Sequence, residues 1–384
     1  MPTGPGDVLH LIRHGHVATR GEILDVTGLS RMTVAQRIDA LLASGLVIEG
    51  PMGEPTGGRR PRSLRFNAEH AVVVVATVDT THARVALTDL SGRIIDHVDV
   101  EVAVEDGPAR TLDTIVTAVR DLLARAEVPL SRVCGTGISV PGPIDPESGR
   151  PSQPPIMPGW DGYPIADHLQ GALPGVPVLA ANDADAAAFG EYTAGFSDAW
   201  ALCLVKVSTG IGTGIVIDGA AYRGADGGAG DIGHVRLRDE TDAVCQCGAR
   251  GCLAAVASGR AVAARLTELG YPARSGRDVG ALLAQGNPEA ARLTQEAGRL
   301  IGEVMATVVC VINPAVVVVG GALASAPLLA GMRETLYRLS LPRATRHLSL
   351  QLGRLGEDAA VVGLTRMVVD REFSAEAVNA RLSR

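Results

Sequence analysis

The hydrophobic period of this chain changes once, and the change sets what it can fold into. Up to Gly50 the apolar residues recur at helical spacing. After Arg65 they come as short β-branched runs, and the stretch between, Gly50 to Arg65, is rich in Gly, Pro and Arg. From Ala71 onward strand-like runs (Val72 to Val78, Arg132 to Val140, Val176 to Ala180, Ala201 to Val207, Val316 to Val319) alternate with helical segments expected at Thr111 to Ala126, Ala184 to Ala194, Gly259 to Leu269 and Glu289 to Val311. Strands alternating with helices specify an α/β fold. At 384 residues there is chain for two or three domains. No internal repeat or low-complexity tract stands out. The longest aliphatic runs are far too short to span a bilayer. The first residues lack the basic start and apolar stretch of an export signal, so a cytoplasmic address without membrane contact is expected, with the six cysteines reduced.

The first seventy residues read as three helices and a hairpin. Val8, Leu11 and Ile12 give an apolar face to a short helix stopped at Gly15. Thr19-Arg-Gly-Glu22 is a capping box for a second helix, which ends at Gly28, and Ser30 can cap a third. In that third helix Val34, Ile38, Leu41 and Leu42 form a core stripe. Thr33, Gln36 and Arg37 fall opposite, and Arg31 opens the helix, so these four can reach DNA in a major groove. Leu46-Val-Ile and Leu64-Arg-Phe should pair as a wing around Gly57-Gly-Arg-Arg-Pro-Arg62. Helix, Gly-containing turn, helix is the helix-turn-helix layout, although a small protein-interaction module shares the bare three-helix pattern.

Charge separates those two readings. The chain carries a net −7, which excludes a globally basic nucleic-acid coat, but residues 1–70 hold eight Arg against seven acids while the remainder holds 27 basic and 35 acidic residues. Arg59, Arg60, Arg62 and Arg65 stand with no acid between Pro55 and Ala68. Such a wing suits phosphate or minor-groove contact. Of the 35 basic residues only Lys206 is a lysine, a bias expected of a GC-rich genome and therefore not read as function.

Two motifs in the larger region carry chemistry. Val207-Ser-Thr-Gly-Ile-Gly-Thr-Gly214 is a strand followed by a turn rich in Gly and hydroxyl groups, able to bring backbone N–H groups close to a phosphate or simply to connect a hairpin. Further on, His234, Cys245, Cys247 and Cys252 have the donors and spacing of a closed tetrahedral zinc site. Cys134, Cys203 and Cys310 lie in apolar strands or helices and read as incidental thiols.

The stretch from Val207 to Cys252 resembles the signature of the ROK family (repressor, open reading frame, kinase). The likeness extends to Val178 to Glu191, similar to the family's Asn-Asp-Ala-Asn segment. Val140-Pro-Gly-Pro143 looks like its sugar-side loop, and Asn313-Pro to Gly320-Gly-Ala322 like its adenosine-side strand and turn. The winged helix with a Gly-Arg-Pro wing matches the repressor branch. The resemblance implies an actin/hexokinase-like (ribonuclease H-like) fold of two lobes around a cleft, assembled as a homodimer or homotetramer. It divides the chain into a winged helix-turn-helix over 1–68, a small lobe over 69–183 completed by 360–384, and a large lobe over 184–359 bearing the zinc. It implies that Gly142, Asn182, Asp183, Asp231 and His234 hold a sugar or sugar phosphate, with His234 also on zinc. In active relatives the residue matching Asp183 is the general base.

Three departures from the family pattern bear on function. The first phosphate loop of its kinases reads Asp-x-Gly-Gly-Thr, where this chain, aligned without a gap on Thr81, has Thr77-Val-Asp-Thr-Thr81, with a carboxylate where phosphate would lie; a shifted alignment makes Asp79 the leading Asp but fills the glycine positions with Thr81-His82. The Glu that usually follows the last cysteine is Ala254, and Asp185 replaces the final Asn of Asn-Asp-Ala-Asn. Phosphoryl transfer depends on positioning and charge neutralisation, so the altered loop argues against catalysis. The leading expectation is a sugar-responsive regulator of double-stranded operator DNA that does not phosphorylate its ligand. The alternatives are an ATP-dependent sugar kinase carrying a DNA-binding domain, and a ligand-independent DNA-binding protein.

Overall fold

A computed structural model describes residues 4–52, 62–239 and 242–382. Helices α1 (Pro5–Arg13), α2 (Arg20–Thr27) and α3 (Arg31–Ala43) precede an antiparallel hairpin of β1 (Val47–Met52) and β2 (Arg62–Phe66). The local signals act as expected. Thr19 and Glu22 form the reciprocal capping box of α2, Gly28 ends it in the left-handed region at φ 65°, and Ser30 caps α3. Val8, Leu9, Ile12, Val34, Ile38 and Leu41 are buried together with Leu64. Leu11 packs partly buried against this core as expected, and Leu9 joins it fully buried, α1 being covered both by α3 and by the C-terminal helix described below. Residues 53–61, which include Arg59 and Arg60, lie outside the described residues.

Two five-stranded sheets follow, and they share one topology. The first orders β5 (Ile94–Glu101), β4 (His82–Asp89), β3 (Val72–Val78), β6 (Val133–Val140) and β7 (Val178–Asn182). The second orders β10 (Ala220–Ala221), β9 (Ile211–Ile217), β8 (Ala201–Val207), β11 (Val316–Gly320) and β12 (Ser349–Leu352). In each, the first three strands run antiparallel and the last two join parallel to the central one. This duplication leaves no readable repeat in the sequence. In the first unit α4 (Pro108–Arg125) and α5 (Ile165–Ala172) are the crossovers. In the second, α7 (Leu253–Ala257), α8 (Gly259–Glu268), α9 (Gly276–Ala284) and α10 (Pro288–Ile312) precede β11, and α11 (Ala326–Leu339) and α12 (Pro342–Thr345) precede β12. The central strands are buried on both faces, which is why they read as continuous aliphatic runs. Val73 and Val75 face one layer and Val72, Val74 and Ala76 the other.

Each unit ends in a helix that packs on the other unit's sheet. The helix after β7, α6 (Asp183–Gly195), lies on β8 and β9, and the helix after β12, α13 (Ala359–Glu372), lies on β3 and β6. The two helices cross in contact. A Cβ on Gly190 would sit 1.9 Å from the Ala359 carbonyl oxygen, and one on Gly363 1.8 Å from that of Ala186, so the crossing demands glycine on both sides. The last helix, α14 (Ala375–Leu382), packs on α1 instead of either sheet. Arg13 of α1, its side chain 4% exposed, pairs with Asp370 of α13 at 2.5 Å and donates to the Val369 carbonyl at 2.9 Å. One apolar cluster therefore runs from Val8 through α13 and α6 to Leu204 on the second sheet. Among the described residues no helix is long and apolar enough to cross a membrane.

Candidate functional site

The cleft opens where β7 gives way to α6. Asn182 is the N-cap of α6, its Oδ1 accepting from the N–H groups of Ala184 and Asp185 at 2.8 and 3.1 Å. Its Nδ2 donates to the Gly142 carbonyl at 3.0 Å, tying the Pro141–Pro143 loop to the helix start. This geometry leaves Asn182 one free N–H for a ligand. Asp183 follows as the first helical residue. Gly142, Asn182, Asp183, Asp231 and His234, singled out by sequence, line one compartment together with Arg260. Ala254 lines it too, leaving room that a longer side chain would occupy. A second compartment, on the other side of Asp183, is walled by Gly320, Gly321, Ala322, His82, Arg277 and Glu357.

The partition between the compartments is a cluster of charges. Lys206 on β8 pairs with Asp183 and, at 3.7 Å, with Asp79 in the turn after β3. Asp79 also accepts from the Thr80 N–H at 2.6 Å and the Thr209 hydroxyl at 3.4 Å. Burial pushes the Asp79 carboxyl up, but Lys206 and the Thr80 N–H outweigh it and leave Asp79 below the usual carboxylate range. At Asp183 burial prevails and keeps the carboxyl above that range despite Lys206. Asp185, one turn position further and 4% exposed, is pushed up to about 7 by burial, with its Oδ1 lacking a partner among the described residues.

Composition alone hides Lys206, which looks like a trace of genome bias. The signal that could have found it is the strand alternation: Leu202, Leu204 and Lys206 share a face, and the first two are core residues against α6. The Gly-rich segment also differs from expectation. Only Ser208–Gly210 is a turn; Ile211 to Gly214 belong to β9. Gly214 serves helix packing, since a Cβ there would lie 2.2 Å from the Ala184 carbonyl oxygen.

His234, Cys245, Cys247 and Cys252 converge as expected, with ligand atoms all within 4.8 Å of one another. His234 ends the short 3-10 turn Ile232–His234, while the cysteines sit in a tight knuckle closed by the Cys245 N–H on the Ala249 carbonyl at 2.8 Å. Gly248 at φ 84° and Gly251 at φ 74° supply the left-handed backbone this knuckle needs. Such a cluster could hold a metal ion. Of the other cysteines, Cys203 is buried and Cys134 partly so, whereas Cys310 is exposed on α10.

At the N-terminal unit α3 presents Arg31, Met32, Gln36 and Asp39 to solvent. Thr33 and Arg37 are half-buried, Thr33 because its hydroxyl shares a 2.9 Å hydrogen bond with the capping Ser30. Met32, an apolar residue 74% exposed, lies one turn from Gln36. Arg62 is exposed at the wing and pairs with Glu49 across the hairpin.

Duplicated sheets, crossed terminal helices and a cleft between define the two-lobed actin/hexokinase-like class. The sequence profile of the ROK family matches residues 76–371, and the chain belongs to that family. A putative xylose repressor from Caldicellulosiruptor sp. (strain Rt8B.4) is 29% identical over 94% of both chains. A glucokinase from Halalkalibacterium halodurans is 30% identical, aligning with 79% of this chain and 96% of its own. The crystal structure of a ROK family transcriptional regulator, homologous to the E. coli MLC protein, superposes with a TM-score of 0.80 at 24% identity over 98% of both chains. The family thus contains both repressors and kinases.

Proposed function

We propose that this protein is a sugar-responsive, DNA-binding transcriptional repressor that holds its effector in the cleft and does not phosphorylate it. One observation carries the reading: the helix-turn-helix shares a continuous core with α13 and α6, and α6 begins at Asn182 and Asp183, which line the cleft. An effector that favours one arrangement of the cleft therefore shifts the DNA-binding unit with it, through its differential affinity for the two arrangements. Residues 1–68 bind the operator, while 69–183 with 360–384 and 184–359 form the lobes. Acting in the cytoplasm as a symmetric dimer or tetramer, the protein sets two recognition helices in successive major grooves.

Arg31, Gln36 and Arg37, with Thr33 at the helix start, address bases; Arg59, Arg60 and Arg62 address the backbone. A mobility-shift series at several salt concentrations tests this division. Gln36→Ala should relax specificity at one position at a cost of about 1–3 kcal/mol, whereas Arg62→Ala should weaken all sequences alike and flatten the salt slope. Binding that survives deletion of residues 1–68 would refute the assignment.

The His-Cys cluster we assign to structural zinc. A tetrahedron with Zn–S bonds of about 2.3 Å has S–S edges of about 3.8 Å. Cys247 and Cys252 Sγ stand 3.8 Å apart, as do Cys245 Sγ and His234 Nδ1. Four protein donors close the coordination shell, so the ion's contribution is to fix His234 and the knuckle at the edge of the effector compartment.

The kinase reading keeps one point in its favour, the placement of Asp183 between the two compartments. Against it, the loop lacks the glycine pair of the kinases, the Asp79 carboxylate lines the second compartment, and the nearby ammonium is engaged by two carboxylates. Sugar-dependent ADP release on the order of 1 s⁻¹ or faster would restore it.

A further inference from the structure

The partition between the two compartments has its own logic. Lys206 is the sole lysine among 35 basic residues. On the neighbouring strands its partners in register are Gly212 and Gly320, so no side chain flanks it and the stem runs out along the sheet into the cleft. Its ammonium lies between a carboxylate from the first unit, Asp79, and one at the α6 N-terminus, Asp183, and the side chain as a whole is 18% exposed. A compact ammonium with three donors can serve both carboxylates at one point, which a planar guanidinium cannot do as readily.

We propose that Lys206 is the built-in counter-ion of this cleft, committing the effector compartment to an uncharged sugar that binds without nucleotide. The inference rests on the reading of that compartment as the effector site. Its acids are Asp79, Asp183 and Asp231, and its cations are Lys206 and Arg260. Because Lys206 is engaged by two of the three acids, a phosphate ester would enter beside Asp231 and Asp183 with only Arg260 to meet it. A buried anion without its own counter-charge is strongly disfavoured. On the other side, nucleotide phosphates would meet Asp79 with the shared cation already saturated. A neutral polyol meets neither obstacle: Asp183, paired with Lys206, accepts a hydrogen bond from one hydroxyl.

The test uses the intact protein and calorimetric titration with xylose, glucose and N-acetylmannosamine, their phosphate esters, and each with and without Mg-ATP. Expected is binding of at least one free sugar, changed less than twofold by Mg-ATP, with its ester at least tenfold weaker. In Lys206→Met the affinity should fall tenfold or more at pH 7 and recover toward pH 9, as Asp183 loses the proton it gains without its partner. Asp79, Asp185, Asp231, His82 and Arg277 also surround this point. Adding Asp183→Asn to Lys206→Met therefore serves as the control, and it should flatten the profile.

A sugar-free measurement covers the case in which Lys206→Met does not fold. In the native wild-type chain the single ε-amine should resist acylation at pH 8.5, read as one missing mass increment that appears on denaturation. Ready acylation of the native protein overturns the proposal. So does tighter binding of an ester, sugar binding that requires Mg-ATP, or a Lys206→Met variant with wild-type affinity and a flat profile. Absence of any sugar binding by a protein that binds DNA would instead remove the effector reading itself.

Discussion

If the DNA-binding unit is fastened to the cleft through α1 and α13, its fastening can be loosened in a graded way at Arg13. Arg13→Met removes a pair with Asp370 at 2.5 Å and a hydrogen bond to the Val369 carbonyl. Neither partner is orphaned: Asp370 keeps Arg366 at 3.1 Å, and the Val369 carbonyl still accepts the Phe373 N–H at 2.9 Å. The loss is then one charge-assisted hydrogen bond, about 2 kcal/mol. Asp370→Asn is the harsher change, because it leaves the buried Arg13 and the nearby Arg366 facing each other without an anion. Breaking a buried pair in that way costs about 3–5 kcal/mol, and since Asp370 is 32% exposed the lower end applies. At about 1.4 kcal/mol per tenfold, α1 should open about 30-fold more often in Arg13→Met and about 100-fold more often in Asp370→Asn. Hydrogen exchange of α1 and α14 peptides, at fixed pH and temperature, reads both numbers. Unchanged protection in the two variants, or greater loss in Arg13→Met, would refute the docking as described.

Other perturbations have equally definite outcomes. Cys247→Ser should lower zinc content below one per chain and destabilise the lobe carrying it, measured by metal analysis and thermal unfolding with and without chelator. A well-folded wild-type protein without zinc would contradict the assignment. Gly363→Leu should separate α6 from α13 and cost at least about 1–3 kcal/mol by overpacking, seen as a lower denaturation midpoint; an unchanged midpoint would show that the crossing is loose. Burial pushes the folded-state Asp185 carboxyl up to about 7. A raised folded pKa in an acid makes the folded state lose stability as pH rises from about 4 to about 7, by up to about 4 kcal/mol. Asp185→Asn should therefore stabilise at pH 8 and do little near pH 4, and equal effects at both values would exclude that origin.

Much of this architecture was legible where a residue type has one local task. Thr19, Glu22, Gly28 and Ser30 announce helix ends through their own hydrogen bonds and backbone preference, and the aliphatic strands announce burial on both faces. The His-Cys knuckle is legible for the same reason, since spacing and donor chemistry coincide. What stayed hidden depends on pairs distant in sequence. β4 and β5 carry His82, Arg84, Asp96 and Glu101, which blur the apolar pattern because one face of this edge meets water. The crossing of α6 and α13 rests on Gly190 and Gly363, and nothing local tells either glycine that a carbonyl of the other helix will lie against it. The burial of α1 on two sides depends on α14, which arrives from the far end of the chain. Lys206 has no meaning until Asp79 and Asp183 are seen on either side of it.

The most direct measurement is fluorescence anisotropy of the intact protein on DNA from the promoter regions flanking its own gene, at fixed salt, titrated with free sugars. A sugar-responsive repressor should bind one such fragment at least about a thousandfold more tightly than random duplex of equal length, the usual margin of specific over non-specific binding. One free sugar should weaken that specific binding at least tenfold, a coupling of about 1.4 kcal/mol. An affinity equal to that for random DNA, or specific binding that no sugar shifts, would contradict it.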